Sequence, residues 1–225
     1  MQVSGHNNKF GTDMQLSSSY YSVWYKNPEW GSISETLLKV VEFYETDQLK
    51  HALPVPGAAD GLRSLNAMGY ELVIITARKI PDELESTETW LRRNFEGTFK
   101  YVVFSSQSDD SVFCDDRYIA TKLSKLEICV ALRATCLVDD SMETAQVFGR
   151  ESGRPFLLFG DYEWNQRVDS GDRWSFQEKL NAEGGHEWWK HENIDLRNQS
   201  TIRRMKDWYE VVAWARCAKK QYGLL

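Results

Sequence analysis

The residues best suited to chemistry are a threonine, a lysine and a pair of aspartates, each next to a predicted strand or helix. Thr76 follows two isoleucines at the end of an apolar run, where its hydroxyl and the next backbone N–H groups can face an anion. Lys125 opens a predicted helix, where the helix dipole disfavours a cation, so we expect another partner for it. Asp139 and Asp140 end a second apolar run, and such adjacent carboxylates repel each other unless they share a cation or one caps a helix.

Each of these residues also has a purely structural interpretation. Thr76 could end its strand by bonding the turn that follows. Lys125 alone could be a solvated surface lysine. Asp139 or Asp140 could be the N-cap of a helix that begins near Met142. The order and setting of all four residues favour a shared functional role.

The elements around these residues follow from hydrophobic periodicity. Residues 71–77 contain a short apolar run typical of a strand buried on both faces, and residues 82–95 form an amphipathic helical pattern. Residues 101–104 predict the next strand. Residues 107–121 are polar and are expected to form a loop.

The second half of the pattern repeats this alternation. Residues 124–133 predict a helix, residues 135–138 a strand, residues 142–148 a helix and residues 155–159 a strand. Alternation of strands and helices over residues 69–159 predicts a doubly wound parallel α/β sheet, with its site beyond the carboxyl ends of the strands.

The rest of the chain divides around this core, which we assign to residues 54–160. Residues 1–19 are expected to be irregular. Residues 20–53 predict a small helical cap, in which Ser32 or Ser34 starts a helix. Residues 161–225 are expected to form a tryptophan-rich tail that packs on the core. The cap helix is expected to carry one apolar stripe, formed by Leu37, Leu38, Val41 and Tyr44. Residues 202–217 are expected to form a helix in the tail.

Composition limits the classes of partner. The net charge is -6 and the sequence pI is about 5.3, which argues against binding to nucleic acid or to an anionic membrane through a general field. No segment approaches the roughly 18 apolar residues of a membrane span. The four cysteines show no metal-ligand spacing and indicate reduced thiols. We therefore expect a cytoplasmic protein that holds any anionic substrate in a local site.

The motifs together resemble a known family. Thr76-Ala-Arg after a strand, Lys125 opening a helix, and Asp139-Asp140-Ser after another strand resemble the second, third and fourth motifs of the haloacid dehalogenase superfamily. Residues 54–78 and 125–141 look like uncharacterised fungal members related in pattern to small deoxyribonucleotidases. Residues 157–165 add to the resemblance.

The resemblance implies a Mg²⁺-dependent phosphohydrolase acting on a small phosphorylated molecule, with an aspartate that attacks phosphorus. It implies that Thr76, with Ala77 and Arg78, binds a phosphoryl oxygen. Lys125 would neutralise charge on the nucleophile and the phosphoryl group. Asp139 and Asp140 would hold the metal, and the cap would close over the substrate and exclude water.

The first motif of that family, a strand running into Asp-x-Asp, has no match here. Asp13 is the only acid before Tyr20 and follows no strand, and Asp47 and Asp60 lie in or beside helical patterns. We therefore expect an enzyme that is inactive or nearly so, or a non-catalytic binding protein built on the same core, the alternative that the tryptophan-rich tail suggests.

The missing motif also leaves out a central strand. In the family this strand lies between those of residues 72–75 and 136–138, and each buried backbone group left unpaired costs about 1 to 3 kcal/mol. Two explanations are open: the flanking strands pair directly, or the natural start lies upstream of Met1, and we favour the second.

Overall fold

The computed structural model describes residues 2–46, 48–79, 83–107 and 117–222, and these form an α/β protein. The described helices and strands are, in chain order, α1 (Gln2–Phe10), α2 (Ile33–Tyr44), α3 (Gln48–His51), α4 (Ala58–Ala67), β1 (Val73–Thr76), α5 (Leu84–Phe95), β2 (Tyr101–Phe104), β3 (Tyr118–Ala120), α6 (Lys125–Ala131), β4 (Leu137–Asp139), α7 (Met142–Glu151), β5 (Phe156–Phe159), α8 (Phe176–Ala182), β6 (Ile202–Met205) and α9 (Trp208–Tyr222). Short 3-10 helices lie at Leu16–Ser18, Trp24–Lys26, Glu163–Asn165 and Trp188–Lys190.

The six described strands form two three-stranded parallel sheets, in the orders β1-β2-β3 and β4-β5-β6. In the first sheet Ile74 lies opposite Val102, and in the second Val138 lies opposite Leu157. The middle strands are the most deeply buried, because Val102 and Leu157 are fully covered. The prediction of a parallel α/β arrangement is confirmed. The strands are expected to form one sheet, but in the described chain they form two.

Helices cover both faces of both sheets. On one face Ile74 packs with residues of α4 and α5, and Val138 packs with residues of α4 and α9. On the opposite face Ile75 and Leu137 belong to one cluster with residues of α6 and α7. The two sheets therefore lie between the same helix layers, as two parts of one three-layer structure.

The interruption falls between β1 and β4. Within the described residues β1 pairs only with β2, and β4 pairs only with β5. All residues of both strands are only half-buried, in contrast to the covered middle strands. One of the two explanations drawn from the sequence is that these two strands pair directly with each other. The described structure does not contain this pairing.

Three elements differ from the sequence-based predictions. The N-terminal segment, expected to be irregular, forms α1, where His6 packs against Trp30 with ring centroids 4.6 Å apart. Residues 107–121, expected to form a loop, include β3, and residues 108–116 of that prediction lie outside the described chain. Strand β6 occupies the start of the predicted tail helix, so that helix begins at Trp208 instead.

The cap helix α2 starts where Ser32 accepts a hydrogen bond from the Glu35 backbone and Glu35 bonds back to Ser32. Its apolar stripe does not face a core in the described structure. Thr36 and Phe43 are buried instead. The stripe residues Leu37, Leu38, Val41 and Tyr44 are 61%, 65%, 59% and 44% exposed.

The tail packs against the segment that follows α1. The buried ammonium of Lys26 pairs with Asp169 and, at 3.1 Å, with Asp172. The indole of Trp188 donates to the hydroxyl of Tyr21 at 2.9 Å. Trp188 and Trp189 are both 6% exposed, so they pack the tail rather than form a contact surface. The sequence predicts that Trp188, Trp189, Trp208 and Trp214 pack the tail onto the sheet. This holds for Trp208 and Trp214, which lie in a cluster with strand residues such as Val138, whereas Trp188 and Trp189 pack with Tyr21 and Phe176 instead.

Candidate functional site

Lys125 and Asp139 meet at the carboxyl end of β4. Ser124 caps α6 and forms a reciprocal capping box with Glu127, which places Lys125 at the first position of the helix. The Lys125 ammonium forms an ion pair with Asp139, whose side chain is only 9% exposed. Because the helix dipole disfavours a cation at the start of a helix, Lys125 is expected to have a partner. That partner is Asp139, the last residue of β4.

Asp139 and Asp140 have different partners. The second carboxylate oxygen of Asp139 accepts the backbone N–H of Ser141 at 3.0 Å. Asp140 accepts the indole N–H of Trp164 at 2.8 Å, and Trp164 stacks on Tyr162 with ring centroids 4.2 Å apart. Burial, and then the negative charge of Asp139, raises the pKa of Asp140. The two neighbouring carboxylates therefore accept hydrogen bonds from different donors.

The helix after these aspartates is capped by a different residue. Ser141 is the N-cap of α7 and accepts a hydrogen bond from the backbone of Thr144 at 3.1 Å. The interpretation of Asp139 or Asp140 as the helix cap is therefore wrong, because the cap position lies one residue later. This removes the simplest structural explanation for the acidic pair.

Thr76 ends β1 with its hydroxyl bonded to the turn. Its hydroxyl oxygen accepts the backbone N–H of Arg78 at 3.3 Å, the local role that one interpretation of the sequence gave it. In the part of the chain that the structure describes, this hydroxyl donates no hydrogen bond, and its oxygen atom has a further lone pair. Ala77 is exposed, and the Arg78 guanidinium donates to Thr87 on α5 at 3.0 Å.

The structure therefore brings part of the predicted site together. Lys125, Asp139 and Asp140 form one group at the end of β4. No described hydrogen bond or ion pair links Thr76, Ala77 or Arg78 to that group, although α6 contacts β1. The unpaired edges of β1 and β4 lie between the two halves.

The donor set for a metal at this site consists of two carboxylates. Among the described residues, no three His, Cys, Asp or Glu side chains are grouped so as to hold a metal ion. Asp139 is engaged by Lys125, and Asp140 by Trp164. Protein sites often hold Mg²⁺ through one or two carboxylates plus water and phosphate oxygens. Binding of Mg²⁺ by Asp139 and Asp140 would need such added ligands, and it stays a prediction.

Two residues of this site escaped the sequence analysis. Trp164 lies 24 positions after Asp140, and its bond to that carboxylate depends on the short 3-10 helix that follows β5. Glu143, on the first turn of α7, accepts from the hydroxyl of Ser22 and from the backbone of Asp169, at 3.1 and 3.2 Å. It therefore ties the N-terminal segment and the tail to the site. Neither long-range contact leaves a local pattern in the sequence.

Comparisons with protein-family models, with curated proteins and with solved structures found no match to this chain. No helix in the described ranges is both long and apolar enough to cross a membrane.

Proposed function

We propose that this chain derives from the Mg²⁺-dependent phosphohydrolases of the haloacid dehalogenase superfamily and keeps their binding site for a small phosphorylated compound. The observation that carries the proposal is the ion pair of Lys125 with Asp139, next to the buried Asp140, at the carboxyl end of a parallel strand. Sites of α/β proteins lie at this end of the sheet. A lysine that opens a helix and pairs with a strand-end aspartate fits a site built around a phosphoryl group.

In this proposal Lys125 supplies the positive charge that an anionic substrate requires. Its side chain is 27% exposed, so a phosphoryl oxygen can reach the ammonium while Asp139 orients it. Thr76 would donate its hydroxyl to another phosphoryl oxygen, assisted by the backbone N–H groups of Ala77 and Arg78. Mg²⁺, when bound by Asp139 and Asp140 with phosphate oxygens, would neutralise developing charge.

We also propose that residues 1–225 by themselves turn over little or no substrate. Hydrolysis of this type needs a carboxylate that attacks phosphorus beside the metal-holding acids. Among the described residues, no third His, Cys, Asp or Glu side chain joins Asp139 and Asp140 in a group that could hold a metal ion. The two carboxylates that are present already have Lys125 and Trp164 as partners.

The test of this second part is phosphate release from generic monoesters by the purified protein with Mg²⁺. We expect no Mg²⁺-dependent release above that of an Asp139→Asn, Asp140→Asn double variant. Clear turnover that the double variant loses would overturn the claim that the nucleophile is missing.

A second candidate function is non-catalytic binding of a phosphorylated ligand by the same residues. Two observations favour it. Lys125 lies with Asp139 and Asp140 in a group that suits a phosphate, and the sequence before Tyr20 contains no apolar run that leads into Asp-x-Asp. Calorimetry with Mg²⁺ and inorganic phosphate, alongside the turnover assay, tests this candidate. Binding without turnover supports it, and turnover that the Asp139→Asn, Asp140→Asn double variant loses would contradict it.

A further inference from the structure

The indole that holds Asp140 lies in the loop that follows β5. Trp164 donates its indole N–H to one carboxylate oxygen of Asp140 at 2.8 Å. In the described part of the chain, no other residue donates a hydrogen bond to the second carboxylate oxygen of Asp140. That second oxygen can therefore accept a ligand while Trp164 keeps the side chain in place.

The residue after Trp164 is held by the sheet. Asn165 is fully buried, and its side-chain amide donates to the carbonyls of Phe159 and Gly160 at 3.0 and 2.9 Å. Arg204 of β6 donates to the side-chain oxygen of Asn165 and, at 3.1 Å, to its backbone carbonyl. The end of the short 3-10 helix that carries Trp164 is therefore bonded to both β5 and β6.

The residue before Trp164 is held by the tail. The buried guanidinium of Arg167 donates to the backbone carbonyl of Glu163 at 2.8 Å and to its carboxylate at 2.9 Å. The same guanidinium donates to the carbonyl of Trp189 at 2.6 Å. Because an arginine fixes each neighbour of Trp164, the position of the indole is set by contacts outside the candidate site.

The ring of Trp164 is fixed as well. Tyr162 stacks on it with ring centroids 4.2 Å apart and ring planes 8° apart. Tyr162 in turn lies over Gly160, where a Cβ atom would come within 2.1 Å of the tyrosine ring. Gly160 also has a φ of +86°, in the left-handed region that favours glycine. Glycine at this position therefore permits the stacked pair.

These contacts could serve only to hold the tail on the sheet. The loop is fixed by Arg204, Arg167 and Tyr162, however, without any help from the bond to Asp140. That bond therefore does more to orient the carboxylate than to hold the loop. Donors that orient a metal-binding side chain in this way are important for metal binding, since their loss typically lowers metal affinity by about 10- to 100-fold.

We propose that Trp164 is a positioning residue for a divalent cation. Its indole N–H holds one oxygen of Asp140 and leaves the other to bind the ion, and Arg204 acts through Trp164 by fixing the loop. This inference rests on the proposed function, because it takes Asp139 and Asp140 as the residues that hold Mg²⁺. It adds that the metal affinity of the site depends on β6, which is two strands away from β4.

The test is binding of Mn²⁺ to the full 225-residue protein with inorganic phosphate present, followed by the electron paramagnetic resonance signal of free Mn²⁺. Mn²⁺ takes the same oxygen ligands as Mg²⁺. Trp164→Phe keeps a ring against Tyr162 and removes the N–H, and we expect it to weaken Mn²⁺ binding by about tenfold. The matched control is Trp174→Phe, which changes a tail tryptophan that is 50% exposed and should leave the affinity unchanged.

A double-mutant cycle tests the role of Arg204. Arg204→Lys keeps the charge but loses the forked donation to Asn165. It should weaken Mn²⁺ binding by about threefold in the original protein and have no further effect in Trp164→Phe. Unchanged affinity in Trp164→Phe, or an equal effect of Arg204→Lys in both backgrounds, would overturn the inference and leave the proposed function standing. Absence of Mn²⁺ binding to the original protein would overturn the proposed function and the inference with it.

Discussion

Lys125, the first residue of α6, forms an ion pair with Asp139, the last residue of β4, although 14 positions separate them in the sequence. The pair fixes the start of a helix to the end of a strand. In the described structure the neighbouring Asp140 forms no ion pair with Lys125 and accepts a hydrogen bond from the Trp164 indole instead. Burial and the charge of Asp139 raise the pKa of Asp140, so the ionised form of Asp140 disfavours the folded state.

Replacing Lys125 by methionine should destabilise the protein. Asp139, whose side chain is 9% exposed in the ion pair, would lose its cation, which we expect to cost about 1 to 3 kcal/mol of unfolding free energy. Urea denaturation measures this change. The control is Lys100→Met, which removes an ion pair to Glu71 whose side chains are 47% and 60% exposed. Equal effects of the two substitutions would contradict a structural role for the Lys125 pair.

Replacing Asp140 by asparagine should stabilise the protein at neutral pH. Burial and the charge of Asp139 raise the pKa of Asp140 in the folded state, so its contribution to stability is complete below the ordinary value of 3.8 and declines as pH rises through the folded pKa. Asparagine keeps an oxygen that accepts from Trp164. The gain should therefore appear in denaturation at pH 7 and vanish below pH 3.8. A loss of stability at pH 7 would show that the charge of Asp140 is favourable.

Acidification should weaken the contact between α1 and the cap. Burial, and then the charge of Lys39, lowers the pKa of His6 from 6.5 to about 4. Because the unfolded chain then binds the proton more readily, stability is unaffected above pH 6.5 and falls between pH 6.5 and 4. His6→Phe keeps a ring against Trp30 and should flatten this part of the pH profile of the melting temperature. The exposed His51, replaced by glutamine, serves as the control, and an unchanged profile in His6→Phe would refute the assignment.

Lys26 should be one of the most sensitive positions outside the candidate site. Replacement by methionine leaves Asp169 and Asp172 without their buried cation, and we expect a loss of about 2 to 4 kcal/mol in urea denaturation. Lys26→Arg keeps the charge and should lose less. If both variants unfold at the same urea concentration as the original protein, the ion pairs do not hold the tail to the N-terminal segment.

The sequence predicted those parts of the fold that carry a strong local signal. Strands β1, β2 and β5 are apolar runs, and α6 begins with a serine and a glutamate three residues later, which is a helix-start pattern. Strand β6 escaped because two of its four residues are arginines, one of them exposed, as an outer strand allows. Strand β3 has only three residues, too few to show a period.

The candidate site was predictable only in part, for a related reason. The need of Lys125 for a partner follows from the helix dipole, and Asp139 supplies it. The sequence leaves Asp139 or Asp140 open as the cap of α7, because aspartate and serine are about equally good caps, and the structure shows Ser141 there. The bond from Trp164 to Asp140 depends on a tertiary contact that periodicity does not encode.

Two threonines in the chain allow a direct test of the central claim. Thr76 and Thr121 each follow or end a strand, and each hydroxyl accepts a backbone N–H two residues later, at 3.3 Å from Arg78 and at 3.2 Å from Leu123. Thr76 ends β1, which contacts α6, the helix that Lys125 opens, whereas Thr121 follows β3 at the opposite edge of the same sheet. Because the two hydroxyls accept the same kind of local bond, replacing either threonine by valine should have a similar effect on its turn.

The most direct measurement is a calorimetric titration of inorganic phosphate, with Mg²⁺ present, into the protein and its Thr76→Val and Thr121→Val variants. The proposed function predicts that phosphate binds, that Thr76→Val weakens the affinity by about tenfold through loss of a hydrogen bond to a charged ligand, and that Thr121→Val leaves it unchanged. No binding to the original protein, or equal affinities of the two variants, would contradict it.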